Sequence, residues 1–273
     1  MTNKEIETLI KNGRDFMKGM QELDGYQSDQ ELKKVQPPLC KSPINENRIA
    51  LPIDFESLNI NNDFLQIINT RESHRVYTQE NITLKELSYL LWCTQGVKSI
   101  RGKSYATLRT VPCGGARHEF ETYMAIQFVD GLKPGYYHYL PLTHELECLA
   151  EEKDDITSFI GDSLQGQIWA NKASVVFYYS MVAYRAEWRY GIYTHRVALI
   201  DSGYISENLY LACTSIGLGG CAIGAVSTEL CDKKFGLDGE EEFVILAHPV
   251  GTISIDDKQK ELDFYAFVNQ QGL

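Results

Sequence analysis

Arg71-Glu72-Ser73-His74-Arg75 follows directly on an apolar stretch with helical spacing: Phe64, Leu65, Ile67 and Ile68. In an extended segment residues i, i+2 and i+4 project to one face. Arg71, Ser73 and Arg75 would then present two guanidiniums and a hydroxyl together. Such donors match the oxygens of a phosphate, each charge-assisted bond contributing roughly 1.5–3 kcal/mol. Three of them supply about 5–9 kcal/mol before the cost of association, a micromolar site at best. A ligand held here must also bury something large and flat. The competing reading is a surface turn with solvated charges, and the rest of the chain has to decide between them.

Upstream, Ile6, Leu9, Ile10, Phe16, Met17 and Met20 predict an amphipathic helix over residues 3–21. Residues 24–58 are rich in Asp, Asn, Ser and Pro, including Pro37-Pro38, and predict an irregular arm. The compact core is expected from Asn61 onward, which divides the chain into an arm, 1–58, and a domain, 59–273. Downstream, Thr83 and Glu86 form a capping box that opens a helix through Leu87, Leu90, Leu91 and Trp92, ending at Gly96. Residues 123–130 and 136–140 read as a hairpin with a five-residue loop, Gly131 to Gly135. Residues 154–167 predict a helix, and the apolar run 174–180 predicts a buried central strand. Residues 196–216 predict the longest helix, with Val197, Ile200, Leu209, Leu211 and Ala212 as buried candidates and Gly217 as a left-handed stop. Late strand material is expected at 243–247 and 250–255. Strands and helices mix without a repeated βαβ unit, which favours an α+β class.

Of 273 residues, 44% are apolar and 11% aromatic, ample for a core. Twenty-six basic against thirty-seven acidic residues leave a net charge of −11, which argues against nucleic acid and against an anionic membrane surface. A single bound phosphate stays compatible, because screening over about 8 Å lets a local Arg cluster outweigh the global field. Seven cysteines without a CxxC pair suggest reduced thiols, and the start lacks an apolar signal core, so a cytoplasmic location is expected. The longest apolar run, 173–184, is too short to span a bilayer.

Three further segments carry chemistry. Pro112-Cys113-Gly114-Gly115-Ala116-Arg117-His118 lets backbone approach a ligand closely at its glycines. The same stretch admits a thiol nucleophile, Cys113 with His118 as base, or a plain glycine turn. Gly217-Leu-Gly-Gly-Cys-Ala-Ile-Gly224 follows a helix and precedes a strand, the reverse of a dinucleotide fingerprint, so a Rossmann site is rejected. Flat-ligand support against exposed N–H groups and a simple helix stop both remain. Tyr184-Arg185-Ala-Glu187-Trp188-Arg189-Tyr190 could place a phenol beside a guanidinium for proton transfer, or could be a solvated helix face. The six histidines have no metal-ligand spacing, so no metal is expected.

Taken in order, these pieces resemble the flavin-dependent nitroreductase superfamily, and within it the SagB-type branch of thiazole- and oxazole-forming peptide dehydrogenases. The matching residues are Arg71-x-Ser73-x-Arg75, Gly115-Ala116-Arg117-His118 with Glu121 and Tyr123, and Gly135-Tyr-Tyr-His138-Tyr. Gln167-x-Trp169, Arg185-x-x-x-Arg189-Tyr190, Asp201-x-Gly203, Glu207-Asn208-Leu209 and Gly217-Leu-Gly219 complete the series. The resemblance spans about residues 60–255 and implies an FMN-dependent α/β sandwich with an antiparallel-rich central sheet flanked by helices. It further implies an obligate homodimer with flavin at the subunit interface and NADH or NADPH as a candidate electron donor. By position, Arg71, Ser73 and Arg75 would hold the phosphate and the pyrimidine end of FMN. Pro112, Cys113, Gly114 and Ala116 would reach the flavin from the other subunit, and Gln167 would line the ring. Ala222, Ile223, Gly224 and Ala225 would place backbone near its redox edge. Lys258 and Lys260 are the candidates for a late basic pair.

One position departs from the branch. Where azoline oxidisers carry a Lys-Tyr pair, this chain has Arg189 and Tyr190. Arginine is no base at neutral pH. The implied catalytic pair is therefore Tyr190, exchanging a proton, with Arg189 stabilising its phenolate. The expected substrate is an azoline-bearing peptide or a small quinone- or nitro-type acceptor. The alternatives are a non-catalytic flavin or peptide binder and the Cys113/His118 thiol hydrolase.

Overall fold

Alternation along the central segments builds one sheet with two covered faces. The computed structural model describes residues 1–18, 25–254, 256, 258–266 and 270. Seven strands run antiparallel to every neighbour, in the order β1 (Arg48–Ala50), β6 (Glu145–Glu151), β5 (Gly135–Leu140), β4 (Phe120–Ile126), β7 (Val175–Val182), β9 (Glu242–Thr252), β8 (Leu218–Gly220). A separate hairpin pairs β2 (Val97–Arg101) with β3 (Ala106–Arg109).

Period 2 divides β7 between two cores. Phe177, Tyr179 and Met181 pack with α3 (Leu84–Gln95) and the 22-residue α6 (Thr194–Ser215) on one face. Val176 and Tyr178 pack with α4 (Ile156–Ser163) and α7 (Thr228–Phe235) on the other. The remaining helices are α1 (Asn3–Lys18), α2 (Phe64–Thr70), α5 (Ala183–Tyr190) and α8 (Lys258–Phe264). The α+β class expected from the sequence is the one observed. The Thr83–Glu86 capping box forms, and Gly217 closes α6 at φ +75°.

Several expected elements differ in detail. The β4–β5 connection runs from 127 to 134, because the N–H groups of Gln127 and Phe128 both turn to the Ser174 carbonyl. The Phe128 carbonyl in turn accepts from Ile82. The helix expected at 154–167 stops at Ser163, and a 3-10 turn follows at 168–172. The late strand is one element, β9, and residue 255 lies outside the described residues, as do 19–21 of the N-terminal helix. Ile200, expected to be buried, is 49% exposed, and Leu211 and Val197 are only half-buried. The reason is that α6 overlies the sheet mainly through Ile205, Leu209, Ala212 and Cys213.

The arm is held by buried charge. Glu147 accepts the N–H groups of Ile44 and Asn45, and Glu121 accepts that of Lys41. Glu121 also binds Arg185 at 2.6 Å and His138 at 3.1 Å, and His138 reaches Glu147 at 2.8 Å. Burial alone would push Glu121 up. The Arg185 guanidinium and His138 reverse this and hold it well below the usual carboxylate range. The described part of the arm, 25–58, irregular in sequence, thus lends an edge strand and bonds to Glu121 of β4 and Glu147 of β6.

Candidate functional site

Two clusters form on α6, at Tyr210 and at Asp201. Nine residues separate them, about 13 Å along the helix axis and half a turn in azimuth. One chain therefore cannot bring them to one point.

At Tyr210, Arg71 leaves α2 and lies over the phenol ring, 5.3 Å from its centroid. The Ser73 hydroxyl is 3.1 Å from the Tyr210 hydroxyl, which also accepts the Ala222 N–H at 2.8 Å. The His74 N–H donates to the Gly220 carbonyl and fixes the segment along β8. So Arg71 and Ser73 share a face, as extended backbone requires. Arg75 diverges from them. Its guanidinium sits 5.2–5.8 Å from the ring centroids of Trp169, Phe264 and Tyr265. Glu261 on α8 accepts the N–H groups of Arg75 and Val76 at 2.5 and 2.6 Å. Beside this cradle opens a cleft of about 600 Å³, with Ser73, His74, Gly217 and Lys258 among its walls. Among the described residues, neither Arg71 nor Arg75 forms an ion pair. Lys260 lies on the same helix as Lys258.

The glycine-rich return fits the same cradle in part. The Ala222 and Ile223 N–H groups are engaged internally, by Tyr210 and Ala247. Those of Gly224 and Ala225, both exposed, have no internal acceptor among the described residues. Gln167 is half-buried at the start of the turn that carries Trp169.

At Asp201 the chain turns sharply. Gly115, Ala116 and His118 all have φ near +50°, which glycine adopts freely and which in Ala116 and His118 is strain of the kind that gathers at functional positions. Gly114 donates its N–H to the Asp201 carboxylate at 2.9 Å, and Pro112 is exposed. A Cβ on Gly114 would come within 2.5 Å of Val197, and one on Gly115 within 2.6 Å of Arg189 and the Tyr190 hydroxyl. Only glycine lets this turn lie against α5 and α6.

The Cys113 thiol donates to Glu119 at 3.3 Å and accepts the His118 N–H. Burial, with the Glu119 and Asp201 carboxylates beside it, pushes this thiol far above its usual range. Burial and the Arg109, Arg185 and Arg117 guanidiniums lower His118 to about 2. A neutral thiol beside an imidazole that resists protonation is no nucleophile–base pair. Glu119 is fully buried and one of its oxygens has no hydrogen-bond partner among the described residues. Burial and Asp201 raise its carboxyl to about 7.

Arg189 and Tyr190 stand at the end of α5, the guanidinium 5.6 Å from the Tyr190 ring centroid. With Tyr26, Gln30, Glu31 and Tyr193 they line a second cleft of about 440 Å³. Sequence reasoning missed Tyr210, Glu261, Glu119 and Tyr105. The hydroxyl of Tyr105 accepts from Arg189 at 2.6 Å. Apart from Cys113, six residues before Glu119, and Ala222, twelve after Tyr210, the hydrogen-bond partners of these side chains are far away along the chain.

Among the described residues no helix is long and apolar enough to cross a membrane. The model of the nitroreductase family matches residues 68–252. A Methanocaldococcus jannaschii protein provisionally named a nitroreductase is 28% identical over 203 residues, 74% of this chain and 95% of its own. The crystal structure of a provisionally named nitroreductase from Ralstonia eutropha superposes with a TM-score of 0.59 at 22% identity, covering 81% of this chain and 96% of the other. A chain of the Escherichia coli microcin synthetase complex McbBCD, solved with truncated pro-MccB17 bound, gives 0.55 at 16% identity and covers 93% and 95%. A Staphylococcus epidermidis protein provisionally named an NAD(P)H:FMN oxidoreductase gives 0.50 at 15% identity, covering 74% and 96%.

Proposed function

Because the chain belongs to the nitroreductase family, we propose that it is an FMN-dependent oxidoreductase that passes hydride between NADH or NADPH and a second substrate. The observation that carries this reading is the cradle at Tyr210. Arg71 lies there over Tyr210 and Arg75 stands among Trp169, Phe264 and Tyr265, neither with a carboxylate partner among the described residues, in a chain of net charge −11 and beside a cleft of about 600 Å³. An anion with a bulky body is the complement such a site lacks. The name of the S. epidermidis relative supports the choice of flavin.

In this reading FMN supplies the hydride chemistry when bound. Arg71 and the Ser73 hydroxyl hold its phosphate, with Arg75 and the Lys258–Lys260 pair nearby. Gly224 and Ala225 offer N–H groups with no internal acceptor among the described residues, which would stabilise negative charge on a reduced ring, and Gln167 would line the same side. The Asp201 cluster faces away from the cradle, so Cys113, Gly114 and Ala116 serve the flavin of a second subunit, in a homodimer. Exposed apolar residues on α2 and α6, Phe64, Leu65, Leu199 and Ile200, support such an interface. Residues 59–273 form the flavin-binding unit and 1–58 its arm, in a cytoplasmic protein.

The finer assignment is the SagB-type branch. The McbBCD superposition supports it, since 93% coverage necessarily reaches into the first 58 residues. The substrate is then an azoline peptide, or a small quinone or nitro compound if the Lys-to-Arg departure at Arg189 has ended peptide chemistry. Fluorescence titration of FMN, with the visible spectrum of the purified protein, tests the reading. A yellow protein of about one flavin per chain is expected. A protein that stays colourless with FMN added overturns the proposal.

A further inference from the structure

Arg189 lines the second cleft, yet a guanidinium cannot exchange a proton at neutral pH. Its neighbour Tyr190 has no hydrogen bond to its hydroxyl among the described residues. A third residue answers both points. Tyr105, at the tip of the β2–β3 hairpin, turns its hydroxyl to two donors from different elements. Gln30 Nε2 of the arm donates at 3.0 Å, and an Arg189 guanidinium N–H of α5 donates at 2.6 Å. The Arg117 guanidinium lies 5.0 Å from the ring centroid and donates to the Tyr105 carbonyl at 2.8 Å.

The phenol is held from several directions. Gln36 donates to the Ser104 carbonyl at 3.1 Å and ties the hairpin tip to the arm. The arm is stitched to α5 by the Gln30 N–H to the Trp188 carbonyl, by the Trp188 indole N–H to the Lys34 carbonyl, and by the Tyr184 hydroxyl to Asp29. Both donors at the Tyr105 oxygen favour its ionised form, and its acidity is shifted that way, below the ordinary tyrosine value. The charged groups around it are Arg189 and Arg117. Arg101 and Lys103 of its own hairpin are exposed. Glu31, across the cleft, is held by the Ser28 N–H and hydroxyl.

We propose that Tyr105, whose hydroxyl is held by the cleft-lining Gln30 of the arm and Arg189, is the residue that exchanges the substrate proton beside this cleft. The inference rests on the flavin-dependent reading above. For a quinone acceptor the step balances as follows. The quinone gains two electrons and one hydrogen as a hydride that comes ultimately from a nicotinamide, leaving a negative charge on one oxygen. The Tyr105 O–H bond breaks and that oxygen gains the proton. The phenolate left behind stays between Gln30 and Arg189. Tyr105 is 37% exposed, and water returns its proton. Tyr190 lines the cleft beside it.

The test uses the FMN-loaded protein with NADH or NADPH and menadione. Tyr105→Phe should keep its flavin content and lower kcat about a hundredfold, with KM changed far less. In the unaltered protein kcat should fall at high pH as the phenol ionises. Tyr105→Phe should lack that limb, and Gln30→Leu should move it to higher pH, since one donor to the phenolate is gone. Near-ultraviolet titration needs no turnover. The unaltered protein should show one phenol ionising below the ordinary value of about 10, and Tyr105→Phe should lack it. Unchanged kcat with an unchanged limb overturns the inference, as does persistence of that phenol in Tyr105→Phe. Failure of the flavin reading is seen separately, in the unaltered protein, as absent FMN binding or absent menadione reduction.

Discussion

At Tyr210 the long helix α6 meets guanidiniums that have no carboxylate partner among the described residues, whereas at Asp201 it gathers two carboxylates offset only by a backbone N–H and a thiol. The first region is partly open to water, so its guanidiniums can wait solvated for an anion. The second is closed: Glu119 is fully buried and Asp201 is 2% exposed. Water cannot stabilise its charge, so protonation does, and the Glu119 carboxyl rises to about 7. The same mismatch thus reads as a ligand site where solvent enters and as a pH-dependent strain where it does not.

The largest expected effect lies in the closed region. An acid whose folded pKa is raised lends its stability below the unfolded pKa and loses it as pH rises through the folded one. The window for Glu119 runs from about 4.5 to about 7. The protein should lose roughly 3 kcal/mol of stability across it, less where Asp201 takes up part of the proton. Glu119→Gln, which keeps the shape and cannot ionise, should flatten the slope and raise the melting temperature most at about pH 8. Thermal denaturation at several pH values reads this directly. An equal slope in both proteins would mean the pair is ionised together at no cost, and the contrast between the two ends of α6 would vanish.

The open region should respond through ligand affinity and not through stability. Arg71→Ala removes one charge-assisted contact, about 1.5–3 kcal/mol, so FMN should bind about ten- to a hundredfold more weakly to a protein that melts normally. Fluorescence titration beside a melting curve separates the two readouts. Equal FMN affinity would remove Arg71 from the cradle.

What the chain disclosed in advance follows the same division. Local signals were legible: the Thr83–Glu86 box, the Gly217 stop, the apolar run that became β7, and the two-residue alternation that set Arg71 and Ser73 on one face. Arg75 left that face because Trp169, Phe264 and Tyr265 surround it, and all three are distant in sequence. Ile200 looked buried by helical spacing but lies on the outer face of α6, away from the side on which Ala198, Ile205 and Leu209 are buried. Glu119 and Tyr105 could not be picked out, because their properties come from partners such as Asp201 and Gln30. A one-dimensional pattern carries periodicity and capping; it carries no dielectric and no long-range pairing.

The smallest expected effect is also the one of opposite sign. Glu261 places a carboxylate on the N–H groups of Arg75 and Val76, within the same cradle. One of its oxygens is buried without a partner. A bound phosphate would share the cradle with this like charge. At about 5 Å and near-aqueous screening the repulsion is close to 1 kcal/mol. Glu261→Gln keeps an oxygen to accept the same N–H groups and deletes the charge, so FMN should bind about fivefold more tightly. The gain should shrink at high salt, because it is a screened interaction between charges near the surface. Weaker binding by Glu261→Gln would instead make α8 a support of the bound state, and the carboxylate would belong with the donors it satisfies.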